Sequence, residues 1–119
     1  MAAGLAQLKE LEKQEGWKRL EDLGALLEEE LRAALARAGR NYTLNRLGSM
    51  FCLFFREGPV ANLEDATDVD KEAFKKFFHA ALADGVYFAP SPFETGFLSL
   101  AHGEEEIRET VRVAAAALT

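Results

Sequence analysis

The sequence predicts an α+β domain, a small and mostly antiparallel sheet covered by helices. Three observations lead there. Apolar residues recur at helical spacing near the start, in the middle and at the end of the chain. Two aromatic-rich runs compatible with strands lie between these segments. A length of 119 residues suits one domain with a modest core.

Leu5, Leu8 and Leu11 mark a first amphipathic helix. After a break at Gly16, the residues Trp17, Leu20, Leu23, Leu27, Leu31 and Leu35 form the apolar stripe of a second. Gly39 stands where a helix C-cap needs left-handed geometry, and Arg37 lies in the last turn, where a cation suits the helix dipole. From Tyr42 to Arg56 the chain is rich in aromatic and β-compatible residues. Gly48 within it marks a bulge, a bend or a turn between two short strands, and Met50 to Phe55 reads as a buried strand.

Residues 57–70 hold one proline, one glycine and five acidic residues with no periodicity, which predicts a surface loop. Asp70 is an N-cap for a helix ended by Gly85. Its apolar positions are Phe74, Phe77, Phe78, Ala81 and Leu82, and Phe74, Phe77, Phe78 and Leu82 are expected to form one buried stripe against the sheet. Val86 to Ala89 is a strand candidate stopped by Pro90, and Gly96 to Ala101 is another, joined by the turn Pro-Ser-Pro-Phe-Glu-Thr with Glu94 at its exposed tip. The last helix starts near Gly103, carries Glu104, Glu105 and Glu106 in its first turn, and buries Ile107, Val111, Ala114 and Leu118.

Composition removes several functions. A net charge of −6 without a Lys/Arg cluster is wrong for a nucleic-acid backbone. Cys52 is the only cysteine, so no intrachain disulfide or thiolate metal cluster can form, and its apolar neighbours suggest a buried small hydrophobe in a reducing, cytosolic setting. No stretch has the apolar length of a membrane span or an export signal.

The polar candidates mostly read as architecture. His79 and His102 lack zinc-helix spacing, and His102 is placed to serve the cap of the last helix. Glu104 to Glu106 point about 100° apart on a helix and do not converge on one ion. Ser49 and Ser91 lack a nucleophile elbow and a His-Asp pattern. All six lysines (Lys9, Lys13, Lys18, Lys71, Lys75 and Lys76) fall on charged faces or first turns of predicted helices, where an ammonium stays hydrated. Glu94 differs. It lies between Phe93 and Thr95 in a turn of prolines and aromatics, with no cation beside it in sequence, and is the one candidate for a functional carboxylate.

The runs "GSMFCLFF", "FKKFFHAALADGVYFAPSPFETGFLSLAH" and "EEEIRETV" resemble the C-terminal part of the class III, pyridoxal-phosphate-dependent aminotransferases, over nearly the whole chain. Within that family the likeness is to the aminomutase branch, which converts glutamate-1-semialdehyde to 5-aminolevulinate for tetrapyrrole synthesis. The resemblance implies one C-terminal small domain like that of fold-type I enzymes, with residues 1–15 as an interdomain helix and 16–119 as the α+β body. It implies a homodimer, a larger partner domain holding the pyridoxal phosphate and its lysine, and a fragment that is inactive alone, with Met1 an internal methionine of a longer chain. Many family members carry an arginine in the turn near Phe93, clamping a substrate carboxylate; the aminomutase pattern has a glutamate, which makes Glu94 the substrate-binding residue. No catalytic, cofactor-binding or metal residue is expected in this chain itself. Gly103 departs from the family, whose members often carry Thr or Ser at that cap. The competing readings are the small domain of another class III aminotransferase and a free-standing α+β module that binds a partner through an apolar patch.

Overall fold

The computed structural model describes residues 1–39 and 42–119. The elements in order are α1 (Ala2–Lys13), α2 (Gly16–Ala38), β1 (Thr43–Leu47), β2 (Met50–Phe54), α3 (Leu63–Thr67), α4 (Lys71–Ala83), β3 (Gly96–Phe97) and α5 (Glu104–Ala117). The strands form one antiparallel sheet in the order β1-β2-β3. This is the α+β architecture read from the sequence.

The core lies between α2, α4, α5 and one face of the sheet. Leu23, Leu27, Leu31, Ala34 and Leu35 of α2 meet Ile107, Val111 and Ala114 of α5, with Leu118 just beyond its end. Phe55 joins this cluster to α4, its ring 5.6 Å from Phe74 and 5.4 Å from Phe77. Strand alternation puts Leu44 and Leu53 on this face and cross-strand from each other. Arg46, on the same face, bonds Glu28 and Glu21 of α2 at 2.7 and 3.0 Å.

Two caps form as their sequence demands. Asp70 accepts from the Ala73 N–H at 2.9 Å, and Gly39 closes α2 at φ +67°. The break before α2 falls on Glu15, left-handed at φ 50°, one residue earlier than expected. Gly48 makes a turn between β1 and β2.

Five expectations need correction. The acidic stretch 57–70 contains α3, capped by the Asn62 side chain, and is tied down by polar contacts that leave no apolar period. Thr43 donates to the Gly58 carbonyl, Asn45 to that of Val60 and Arg56 to that of Asp65. Val86 to Ala89 is not a strand, because the Val86 N–H is used to close α4 on the Ala81 carbonyl and Pro90 has no N–H to offer. The second strand of that expected hairpin shrinks to Gly96–Phe97 and pairs with β2 instead. Leu82 is 44% exposed and Phe78 half-buried, so the α4 stripe is Phe74, Phe77 and Ala81. Among the opening apolar residues, Leu5, Leu8 and Trp17 are all exposed, and α1 buries none of its residues.

Candidate functional site

The return from α4 to α5 lines one side of an apolar hollow whose other sides come from α2, β2, α4 and α5. Phe51, Leu53, Phe74, Phe77 and Phe88 form its floor and walls, and Ser91, Pro92 and Glu94 its rim. Phe88 is seated by Phe77, ring to ring at 5.1 Å. The Pro-bracketed turn puts Glu94 at this rim, where it is exposed, as the sequence reading expected of a loop tip.

The turn has its own bonds. Ser91 accepts twice, its carbonyl from the Glu94 N–H at 3.2 Å and its hydroxyl from the Phe93 N–H at 3.3 Å. The Cys52 Sγ on β2 lies 3.5 Å from the Glu94 carbonyl and donates to it weakly. Burial pushes the Cys52 thiol up, which leaves it a half-buried thiol rather than a reactive thiolate. Lys71, at the start of α4, sits over the Phe93 ring, 5.5 Å from its centroid.

The other sequence candidates lie elsewhere. His79 is exposed on α4 against the Phe78 ring. His102 does not cap α5; its Nδ1 accepts from the Ser99 N–H at 3.0 Å and closes the turn before the helix. Glu106 performs the cap by accepting from the Gly103 N–H at 2.8 Å, a bond that holds its carboxyl below the usual carboxylate range. Glu104 pairs with Arg108 along the helix at 3.0 Å. All six lysines are exposed, and none lines the hollow. Among the described residues no helix is long and apolar enough to cross a membrane, and no group of His, Cys, Asp and Glu is placed to hold a metal.

Sequence reasoning missed the role of Phe88 and Ala89 as lining residues, and the close approach of Gly96 to Phe51, where an added Cβ would lie 2.5 Å from the ring. The signal for the latter is a glycine inside a strand-like run.

No family model matches the chain. A glutamate-1-semialdehyde 2,1-aminomutase from Akkermansia muciniphila is 61% identical over 111 residues, covering 93% of this chain and 26% of that protein. An enzyme of the same name from Thermus thermophilus is 50% identical over 119 residues, 99% of this chain and 28% of that protein. This chain is homologous to one segment of the glutamate-1-semialdehyde 2,1-aminomutases. It spans about a quarter of the length of these aminomutase relatives. Solved structures agree on the fold: an omega-transaminase from Sphaerobacter thermophilus superposes with a TM-score of 0.80 at 25% identity, over 98% of this chain and 26% of that one. A transaminase with PLP bound matches at a TM-score of 0.72 and 29% identity, over 87% of this chain and 23% of that one.

Proposed function

We propose that this chain is the C-terminal small domain of a cytoplasmic, homodimeric glutamate-1-semialdehyde 2,1-aminomutase, with residues 1–15 as the interdomain helix and 16–119 as the body. The observation that carries this reading is the 61% identity sustained over 111 residues of the Akkermansia aminomutase, and the superposition on transaminases supports it. In this reading the exposed apolar residues Leu5, Leu8 and Trp17 meet the larger domain.

In the intact enzyme pyridoxal phosphate supplies the carbonyl and electron sink for moving an amino group. The residues of this chain do not fit the task of holding it: the lysines are solvated, none borders the hollow, and the rim carries a carboxylate that would repel a phosphate. The cofactor's lysine and phosphate cradle belong, in this reading, to the larger domain.

What this chain contributes is one wall. The apolar hollow excludes water from its side of the site, and Glu94 at the rim supplies the substrate-facing charge. A carboxylate there favours an ammonium and disfavours an α-carboxylate, selecting a substrate whose reacting end is an aldehyde.

A hybrid tests the proposal. Residues 1–119 replace the matching segment of the Akkermansia aminomutase, and turnover of glutamate-1-semialdehyde to 5-aminolevulinate is measured. Activity within about tenfold of the parent, a barrier change of roughly 1.4 kcal/mol, is expected. A hybrid that folds and loads its cofactor yet is inactive overturns the reading.

A further inference from the structure

We infer that Gly96 is a positioning residue for Glu94: its missing side chain lets β3 seat on the Phe51 ring, and that seat fixes the 91–95 turn at the rim of the hollow. The inference rests on the functional reading of Glu94.

Gly96 and Phe51 are direct cross-strand partners. A Cβ at position 96 would lie 2.5, 2.7 and 3.0 Å from three ring atoms of Phe51, well inside van der Waals contact. Gly96 is not among the residues of positive φ, so its glycine serves space and not left-handed geometry. The aromatic ring occupies the place a side chain would take.

The backbone pairing of β3 is short, and Leu98 just beyond it packs against the core. The β2–β3 ladder is two residues long, followed by one bond from the Leu98 N–H to the Ser49 carbonyl at 2.9 Å. Glu94 precedes Gly96 by two residues, and its carbonyl receives the Cys52 thiol. The Ser91 bonds tie residues 91, 93 and 94 together, so the turn moves as a unit. Phe51 is half-buried and packed against the core, which restrains its ring. An alanine at 96 therefore lifts β3, and the displacement passes directly to Glu94.

Cys52 gives a reading of this seat that needs no catalysis. It is the sole thiol, half-buried beside the Glu94 carbonyl. In the 119-residue chain, Gly96→Ala is expected to raise the rate of labelling by 5,5′-dithiobis(2-nitrobenzoate) at least about fivefold with circular dichroism unchanged. Adding Phe51→Leu, which makes room for the methyl group, is expected to bring the rate back to within about twofold of Phe51→Leu alone. Equal rates for the parent and Gly96→Ala overturn the inference. Should Gly96→Ala fail to fold, recovery of the fold by the Phe51→Leu pair supports the seat, and no recovery overturns it.

The link to Glu94 is read in the Akkermansia hybrid. Gly96→Ala is expected to lower semialdehyde turnover at least about fivefold, and to change it less than about twofold when Glu94→Gln is already present. Effects that multiply, or a loss at Gly96 with none at Glu94, overturn a role exercised through Glu94. An unsubstituted hybrid without activity fails the functional reading instead, and the thiol measurement then decides the seat alone.

Discussion

Gly24 shows how one missing methyl group can hold two elements together. It lies inside α2 where the β1–β2 turn presses in, and a Cβ there would sit 2.1 Å from the Gly48 carbonyl oxygen, a backbone atom with no rotamer to yield. Helix propensity alone favours Gly24→Ala by about 1 kcal/mol, whereas the overlap forces the turn off the helix at about 1–3 kcal/mol. A net loss of stability in urea is expected, and a gain would show that the turn gives way freely. Glu94 is a residue of the opposite kind, exposed, and its carboxylate has no partner among the described residues. Glu94→Gln keeps its shape and removes its charge, so stability is expected to move by no more than about 0.5 kcal/mol. In the hybrid enzyme, turnover of the semialdehyde should fall while half-transamination by ordinary α-amino acids rises. Rates that both stay within about twofold, roughly 0.4 kcal/mol in barrier, would remove Glu94 from the site.

At the scale of elements, the contact between α2 and β1 is electrostatic as well as apolar. Glu28 accepts from Arg46 at 2.7 Å and from Arg32 at 2.7 Å, and these bonds hold its carboxyl below the usual carboxylate range. A depressed folded-state value means that Glu28 adds stability above the ordinary carboxylate pKa and loses it as pH falls through the lower, folded value. Glu28→Gln should therefore cost about 1 kcal/mol at neutral pH, and the two proteins should converge as pH falls from neutrality to below the ordinary carboxylate range. Urea melts across that range check this; a constant gap would assign the loss to packing. This pairing was not legible in the sequence, because Glu28 and Arg46 are 18 residues apart and only the fold joins them. What was legible is what rests on period and punctuation. The stripe of α2 from Leu20 to Leu35, the stripe of α5, the Asp70 cap and the Gly39 stop all stand where their residue types required, while Trp17 at the head of the α2 stripe is exposed. The turn carrying Glu94 was read from its prolines, but the hollow below it was not, since Phe51, Phe77 and Phe88 converge only in three dimensions. The lost strand at Val86 has the same cause: its N–H was taken by the preceding helix, a competition that β-propensity does not register.

The whole molecule divides unevenly between a packed body and an added helix. Phe77 is 2% exposed and touches Phe55, Phe74 and Phe88, so Phe77→Ala empties the centre of the body and should cost about 3–5 kcal/mol. By contrast α1 carries an apolar face of the right helical spacing with nothing to bury it: Leu5 is 55% and Leu8 52% exposed, and Leu11 alone is half-buried, beside Gly16. A helix with an unsatisfied apolar face contributes little to the unit it is attached to and is built to pack against something else. Removal of residues 1–15 is therefore expected to lower the unfolding free energy by about 1 kcal/mol or less, against the several lost at Phe77. The same removal should weaken any concentration-dependent association seen by sedimentation, because it deletes exposed leucines. Urea melts of the truncated chain and of Phe77→Ala, side by side, decide the matter. If the truncation costs as much as the core cavity, α1 belongs to the body and the boundary at residue 16 is wrong. If it costs little, α1 and its exposed leucines stand outside the packed body.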